Sequence, residues 1–146
     1  MLVKSRLEKE KREIISVAPE TSVLDMMETM IAKKVGCLPV VDTKGELKGI
    51  VDDKDIFRAV HKESTDFEKL TAKDLMATDL LIGLPTDDIN YIAGLMANNN
   101  IRYVPIMEES KMVGLMSQGD VMEAQRRHIE IENRYLKMYM DGTHHG

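Results

Sequence analysis

One spacing constrains this chain more than any other property: a shift of 66 residues lays its first half on its second. Val23, Met26, Met27, Met30 and Ile31 fall at i, i+3, i+4, i+7 and i+8, the apolar stripe of one helix. Ile89, Ile92, Ala93, Met96 and Ala97 repeat those offsets 66 positions later. Ser22 and Asp88 occupy the capping place before each helix. The same shift puts Pro19 on Pro85 and Pro39 on Pro105. With one residue deleted further on, Gly49 meets Gly114 and Asp55 meets Asp120. Two copies of one unit therefore fill the chain.

Each copy reads as a short apolar strand (Ile14 to Val17; Leu80 to Leu84), the helix, and a strand (Cys37 to Val41; Tyr103 to Met107). A turn, a further strand (Leu47 to Val51; Met112 to Met116) and a second helix (Asp53 to about Val60; from Gly119) complete it. The order β-α-β-β-α, twice, predicts an α+β fold with flanking N- and C-terminal helices. A repeat of roughly 50 residues buries too little surface to stand alone, so the copies form one module. The expected parts are an N-terminal arm at 1–12, repeat one at 13–61, a polar connector at 62–78, repeat two at 79–127 and a C-terminal extension at 128–146. In the extension Met122, Ile129 and Leu136 recur every seven residues on a helix predicted from Gly119 to about Met140, with Tyr135, Met138 and Tyr139 adding apolar surface. The pattern leaves open whether this helix is a lid on its own module or a dimer contact. Asp141-Gly142 predicts a helix stop, and 142–146 a disordered tail.

Charge and composition remove several function classes. A formal charge of −5 supplies no broad cationic field for nucleic acid or an anionic membrane surface. Lys33-Lys34 and Arg126-Arg127-His128 read as small solvated clusters. No stretch approaches the roughly 18 unbroken apolar residues of a membrane span, and the opening lacks a signal-peptide core, so a cytoplasmic location is expected. Cys37 is the one cysteine, which excludes an intrachain disulfide and a cysteine-cluster metal site. With 12 Met, two Phe and no Trp, the core is aliphatic and adaptable.

The informative local pattern is Gly49-Ile50-Val51-Asp52-Asp53-Lys54-Asp55, echoed by Gly114-Leu115-Met116-Ser117-Gln118-Gly119-Asp120. A glycine opens a strand, a short oxygen-bearing side chain ends it, and a carboxylate follows three residues on, in the first turn of a helix. This is a helix-capping pattern, and duplication copies caps as readily as sites. It is also a good double acceptor for the 2′- and 3′-hydroxyls of a ribose if the carboxylate faces a cleft. The residues alone leave both readings open.

In their order these elements resemble the tandem CBS-domain module, the cystathionine β-synthase domain pair also called a Bateman module. The resemblance covers roughly residues 14–60 and 80–125. It rests on the apolar strand before a proline (Val17-Ala18-Pro19; Gly83-Leu84-Pro85), the amphipathic helix, the hydrophobic-Pro-hydrophobic strand (Leu38-Pro39-Val40-Val41; Val104-Pro105-Ile106) and the Gly-apolar-apolar-(Ser/Thr)-x-x-Asp turn. The basic N-terminal helix and the Asn133-Arg134-Tyr135-Leu136 tail are similar to small stand-alone bacterial CBS proteins.

The resemblance implies two repeats packed about a pseudo-twofold axis, leaving two clefts that bind adenosine derivatives such as AMP, ADP, ATP, SAM or NAD. In the preferred cleft it implies Ser117 and Asp120 on ribose, Met116 beside them, and Ala18, Val23, Val35 and Gly36 around the base. Arg102 stands where the family often places a basic phosphate contact. The second cleft would use Asp52 and Asp55, walled by Leu84, Ile89 and Ile101, and is expected to be weaker because Asp52 replaces Ser or Thr and repels phosphate. Gly119 replaces a frequent Lys or Arg, so one phosphate contact is missing in the preferred cleft. Lys54 and Arg58 are the available substitutes, favouring a nucleoside or monophosphate over a triphosphate.

Catalysis is the weaker class. The carboxylate pairs Asp52/Asp53 and Asp87/Asp88 point to different sides and lack matched partners for a metal cage, so no catalytic or metal-ligating residue is assigned. His61 and His128 are isolated, and Cys37 reads as a small buried hydrophobe. The expected protein is a regulatory sensor, a homodimer without a prosthetic group, that binds an adenosine-type nucleotide and acts in trans on an unknown protein target. The alternative is an interaction or assembly module without nucleotide binding.

Overall fold

The computed structural model describes residues 1–145, with side chains to residue 140. Two antiparallel hairpins carry the fold. The first pairs β1 (Cys37–Val41) with β2 (Leu47–Asp52), from Cys37 opposite Asp52 to Val41 opposite Leu47. The second pairs β3 (Tyr103–Glu108) with β4 (Lys111–Ser117), from Tyr103 opposite Ser117 to Glu108 opposite Lys111. Both bulge at the equivalent step, Val40 to Val41 and Ile106 to Met107. In the first turn Asp42 Oδ1 accepts the N–H groups of Lys44 and Glu46, each at 2.9 Å. The second turn has positive φ at Glu109 and Ser110, the twist that joins right-handed strands through two residues.

Helix α2 (Val23–Lys33) precedes the first hairpin and α3 (Asp53–Lys62) follows it. Ser22 Oγ accepts the Asp25 N–H at 3.1 Å. The second hairpin stands between α5 (Ile89–Asn99) and α6 (Gln118–His145), and Asp88 Oδ1 accepts the Asn90 N–H at 2.8 Å. The opening strand predicted in each copy is reduced to one parallel bridge, Val17 to Val40 and Gly83 to Ile106. Pro19 and Pro85 turn the chain directly after the bridge and cannot donate to a ladder.

Each repeat closes its core with a segment that precedes the other repeat. Helix α1 (Val3–Glu10) donates from the N–H groups of Val3 and Lys4 to the carbonyls of Asp87 and Pro85, both at 2.9 Å. Helix α4 (Ala72–Leu75), which follows a single 3-10 turn at Phe67–Lys69, donates from Ala72 and Lys73 to Thr21 and Pro19 at 2.8 and 2.9 Å. Thr21 and Pro19 are the 66-residue equivalents of Asp87 and Pro85. Val3 is accordingly buried with Ile89, Ile92, Met96, Val104, Ile106 and Met116, and Ala72 with Val23, Met26, Leu38, Val40 and Val51. Full burial of such aliphatic side chains contributes about 1.5–3 kcal/mol each. The N-terminal arm and the connector are thus parts of the two cores.

The first turns of α6 pack on α5, with Val121 and Ala124 buried and Gln125 Nε2 donating to Asn90 Oδ1 at 3.0 Å. Further on, Ile129, Ile131, Tyr135, Leu136, Met138 and Tyr139 are exposed, so α6 covers its own module only at its start. Its backbone stays helical through Asp141 and Gly142, correcting the predicted stop. Gly146 lies outside the described residues. No helix among the described residues is long and apolar enough to cross a membrane.

Candidate functional site

The two hairpins and the segments before them leave two clefts whose walls correspond under the repeat. Cleft one is a cavity of about 280 Å³. Ile14, Ile15, Val35, Gly36 and Cys37 come from repeat one, and Leu115, Met116, Ser117 and Asp120 from repeat two. Cleft two is more open, at about 690 Å³, and its wall residues Leu80, Leu81, Ile101 and Arg102 lie 66 positions after Ile14, Ile15, Val35 and Gly36. Asp52 and Asp55 line it from repeat one. Tyr103 borders both clefts.

In cleft one the turn at the start of α6 closes on itself. The Ser117 N–H donates to Asp120 Oδ2 at 2.9 Å, and the Asp120 N–H donates to Ser117 Oγ at 3.0 Å. The capping pattern and the ligand pattern coexist here, because the cap uses one carboxylate oxygen and leaves the other. That second oxygen, Oδ1, receives Arg12 Nη2 at 2.7 Å. Arg12 Nε also meets Glu10 Oε2 at 2.8 Å, and Glu10 in turn pairs with Arg6. Arg6 is only 3% exposed and donates to Glu123 Oε2 at 3.1 Å, tying α1 to α6. The arm before repeat one therefore forms one side of the cleft, through Arg6, Leu7, Glu10 and Arg12.

In cleft two the same reciprocal cap joins Asp52 and Asp55, with the Asp52 N–H on Asp55 Oδ2 at 3.0 Å and the Asp55 N–H on Asp52 Oδ1 at 2.8 Å. Arg102 donates from Nη2 to Asp52 Oδ2 at 3.1 Å and to Asp53 Oδ1, and its guanidinium lies 5.3 Å from the centre of the Tyr103 ring. Arg58 meets Asp55 Oδ1 at 3.3 Å.

The carboxylates differ in charge state preference. Burial pushes Asp120 up, but the Ser117 N–H and the Arg12 guanidinium outweigh it and hold the carboxyl below its ordinary range. Asp52 is likewise lowered, its desolvation overcome by the Asp55 N–H and by Arg102. Asp55 is raised, by burial first and by the neighbouring charge of Asp52. A depressed folded pKa contributes stability above the unfolded value of about 3.9 and loses it as pH falls through the folded value. A raised one works oppositely, costing stability once the group ionises. In urea unfolding from pH 7 to pH 3, the stability lost by Asp120→Asn is expected to shrink as pH falls, whereas Asp55→Asn is expected to be neutral or stabilising at pH 7. A deficit of Asp120→Asn that does not change with pH would contradict this.

Cys37 is buried, and burial, followed by the charges of Asp52 and Asp55, pushes its thiol up. A chromogenic disulfide reagent is expected to modify it orders of magnitude more slowly in the native protein than in urea. Comparable rates would show that the thiol is accessible. Among the described residues no three His, Cys, Asp or Glu side chains are grouped so as to hold a metal ion.

Of the residues expected in the preferred cleft, Val35, Gly36, Met116, Ser117 and Asp120 line one cavity. Ala18, Val23 and Arg102 do not. Val23 is fully buried in the core of repeat one, and exposed Ala18 lies in the turn where its N–H donates to Thr21 Oγ1 at 3.1 Å. Arg102 is drawn to cleft two by the carboxylates of Asp52 and Asp53. In the second cleft Asp52, Lys54, Asp55 and Ile101 come together, while Ile89 is buried in the core of repeat two and Leu84 borders a separate surface groove. Ala18 and Val23 are 66 positions before Leu84 and Ile89, because the repeat copies the displacement: the cavities are lined by Ile14 and Ile15, and by Leu80 and Leu81, on the near side of each bridge. The arm residues Arg6 and Arg12 were missed, and no local pattern could have found them, since their place depends on α1 reaching repeat two.

A family model described as CBS domain matches the chain twice, over residues 9–62 and 72–127. The CBS domain-containing protein YhcV of Bacillus subtilis is 29% identical over 109 residues, 75% of this chain and 76% of that protein. A crystal structure of a CBS-domain containing protein from Agrobacterium tumefaciens aligns with a TM-score of 0.81 at 25% identity, covering 85% of this chain and 92% of that one. A crystal structure of CBSX2 in complex with AMP aligns with a TM-score of 0.69 at 28% identity, covering 79% and 89%. The chloroplastic CBSX2 of Arabidopsis thaliana is longer, and this chain spans 57% of it.

Proposed function

The chain belongs to the CBS-domain family, with two copies in tandem, and from that premise we propose that it is a regulatory sensor binding an adenosine-type nucleotide in cleft one. The observation that carries this reading is the Ser117–Asp120 turn, which presents a carboxylate at a helix N-terminus inside a cavity walled by apolar residues of the other repeat. Ribose hydroxyls would donate to Asp120, with the base against Ile14, Ile15 and Val35. A volume of about 280 Å³ stands just below the range of small-molecule sites, about 300 to 1,000 Å³. The binding of AMP by CBSX2 supports the ligand class.

Cleft two is the weaker site in this reading, because Asp52 and Asp53 already hold Arg102, and Asp52 and Asp55 put negative charge on the wall where a phosphate would lie. The protein acts as a cytoplasmic homodimer on a protein partner in trans, and carries out no catalysis. Calorimetric titration with adenosine, AMP, ADP, ATP, SAM and NADH tests the reading: at least one should bind and raise the melting temperature with saturation. A specific observation favours an assembly module as the second reading, namely the exposed apolar residues along α6. No heat and no thermal shift with any of the six ligands would leave that reading in place.

A further inference from the structure

Resting on the nucleotide reading of cleft one, we propose that this cleft takes a single 5′-phosphate on Arg12 and Lys34, cations supplied by the N-terminal arm and by the end of α2, and not on Arg102. Arg102 is committed elsewhere: two carboxylates hold its guanidinium in cleft two, and moving it would leave Asp52 and Asp53 unpaired beside each other. Cleft one has cations of its own in Arg6, Arg12 and Lys34.

Their situations differ. Arg6 is buried and holds α1 to α6 through Glu10 and Glu123, with Nε the one buried side-chain nitrogen or oxygen lacking a hydrogen-bond partner among the described residues. It lines the cavity but is fixed in place by its two carboxylates. Arg12 is more than half exposed and rests on Asp120 Oδ1, the oxygen that the cap leaves for ribose. Its guanidinium is therefore already beside the sugar's place. When two hydroxyls take up Asp120, Arg12 Nε stays on Glu10 while the Nη edge is released, and the 5′-phosphate is the anion that the nucleotide itself brings to that edge, where guanidinium and phosphate pair in bidentate fashion. Lys34 is exposed, has no acidic partner among the described residues, and is held at the cleft by the left-handed turn that ends α2, with φ at 56°.

The charge count sets the ligand class. Arg6, Arg12 and Lys34 face Glu10, Glu13 and Asp120 around the cavity. Arg6 stays paired with Glu10 and Glu123, so Arg12 and Lys34 are the two cations available to a ligand, enough for one phosphate and too few for three. The preferred ligand is thus a nucleoside monophosphate.

Titration of the full chain with adenosine, AMP and ATP, in the wild type and in Arg12→Ala, Lys34→Ala and Arg102→Ala, tests the assignment. Wild type should bind AMP about tenfold or more tightly than adenosine, the size expected for a hydrogen-bonded charge pair, and ATP more weakly than AMP. Arg12→Ala should remove most of the AMP preference while adenosine binds as well or better, since Asp120 is then free. Lys34→Ala should cost AMP severalfold, Arg12→Lys should recover part of the loss, and Arg102→Ala should leave the preference unchanged. An AMP preference that survives Arg12→Ala, or that disappears with Arg102→Ala, overturns the proposal while the nucleotide reading stands. Wild type that binds none of the three overturns the proposal, and it overturns the nucleotide reading as well when ADP, SAM and NADH also fail to bind.

Discussion

Asp120→Ala is expected to weaken an adenosine ligand by about 1.5–3 kcal/mol, the range for hydrogen bonds to a charged group, and Asp55→Ala to weaken it less. The two positions are related by the repeat and share the same reciprocal cap, yet their surroundings differ. Asp120 is held ionised by the Ser117 N–H and Arg12, so it accepts from ribose at any pH near neutrality. Asp55 is pushed up by burial and by Asp52, and in its cleft Asp52 and Asp55 are already engaged by Arg102 and Arg58. Because Asp120 also caps α6, the alanine variant loses some stability, about 0.5–2 kcal/mol for a cap. Asp120→Asn keeps an acceptor for the Ser117 N–H and separates the effects. Calorimetry at pH 7 on all three variants measures them, and equal losses at Asp120 and Asp55 would refute the asymmetry.

Gly49→Ala is expected to destabilise the fold by about 1–3 kcal/mol, the cost of overpacking a well-filled site, and Gly114→Ala by less. A Cβ on Gly49 would stand 2.7 Å from the Ala77 carbonyl oxygen and 2.8 Å from Met76 Cβ. That backbone cannot retreat cheaply, because Ala77 exchanges two hydrogen bonds with Ile50, at 3.1 and 2.9 Å. A Cβ on Gly114 would meet the tip of Leu7, with Cδ2 at 2.6 Å, and a leucine rotamer can move. Chemical denaturation of the two variants decides the point: similar losses would mean that the Leu7 side chain is as immobile as the Ala77 backbone. The strand-opening glycines, which read in the sequence as part of a ligand motif, thus have a packing role. The connector crosses β2 at Gly49, and α1 crosses β4 at Gly114.

Much of the architecture was legible because its causes are local. The i, i+3, i+4 stripes of α2 and α5 follow from one-sided burial, the caps at Ser22 and Asp88 from a first turn that needs acceptors, and the hairpins from two apolar runs around a short turn. The Ser117–Asp120 and Asp52–Asp55 turns were legible for the same reason, since each closes within four residues. The base walls were not. Ala18 and Val23 lie just past the bridge at Val17 and Ile15 just before it, and only the packed chain shows which side faces the cleft.

The sequence by itself determined the duplication, the order of elements in each copy and the carboxylate-bearing turns, because periodicity, capping and turn chemistry act over a few residues. The tertiary structure alone decided that the arm closes repeat two and the connector closes repeat one, that Arg12 reaches Asp120, and that Arg102 belongs to Asp52 and Asp53. Those ion pairs join residues 49 to 108 positions apart, and a partly exposed charge pairs with whichever opposite charge the packing brings within about 3 Å.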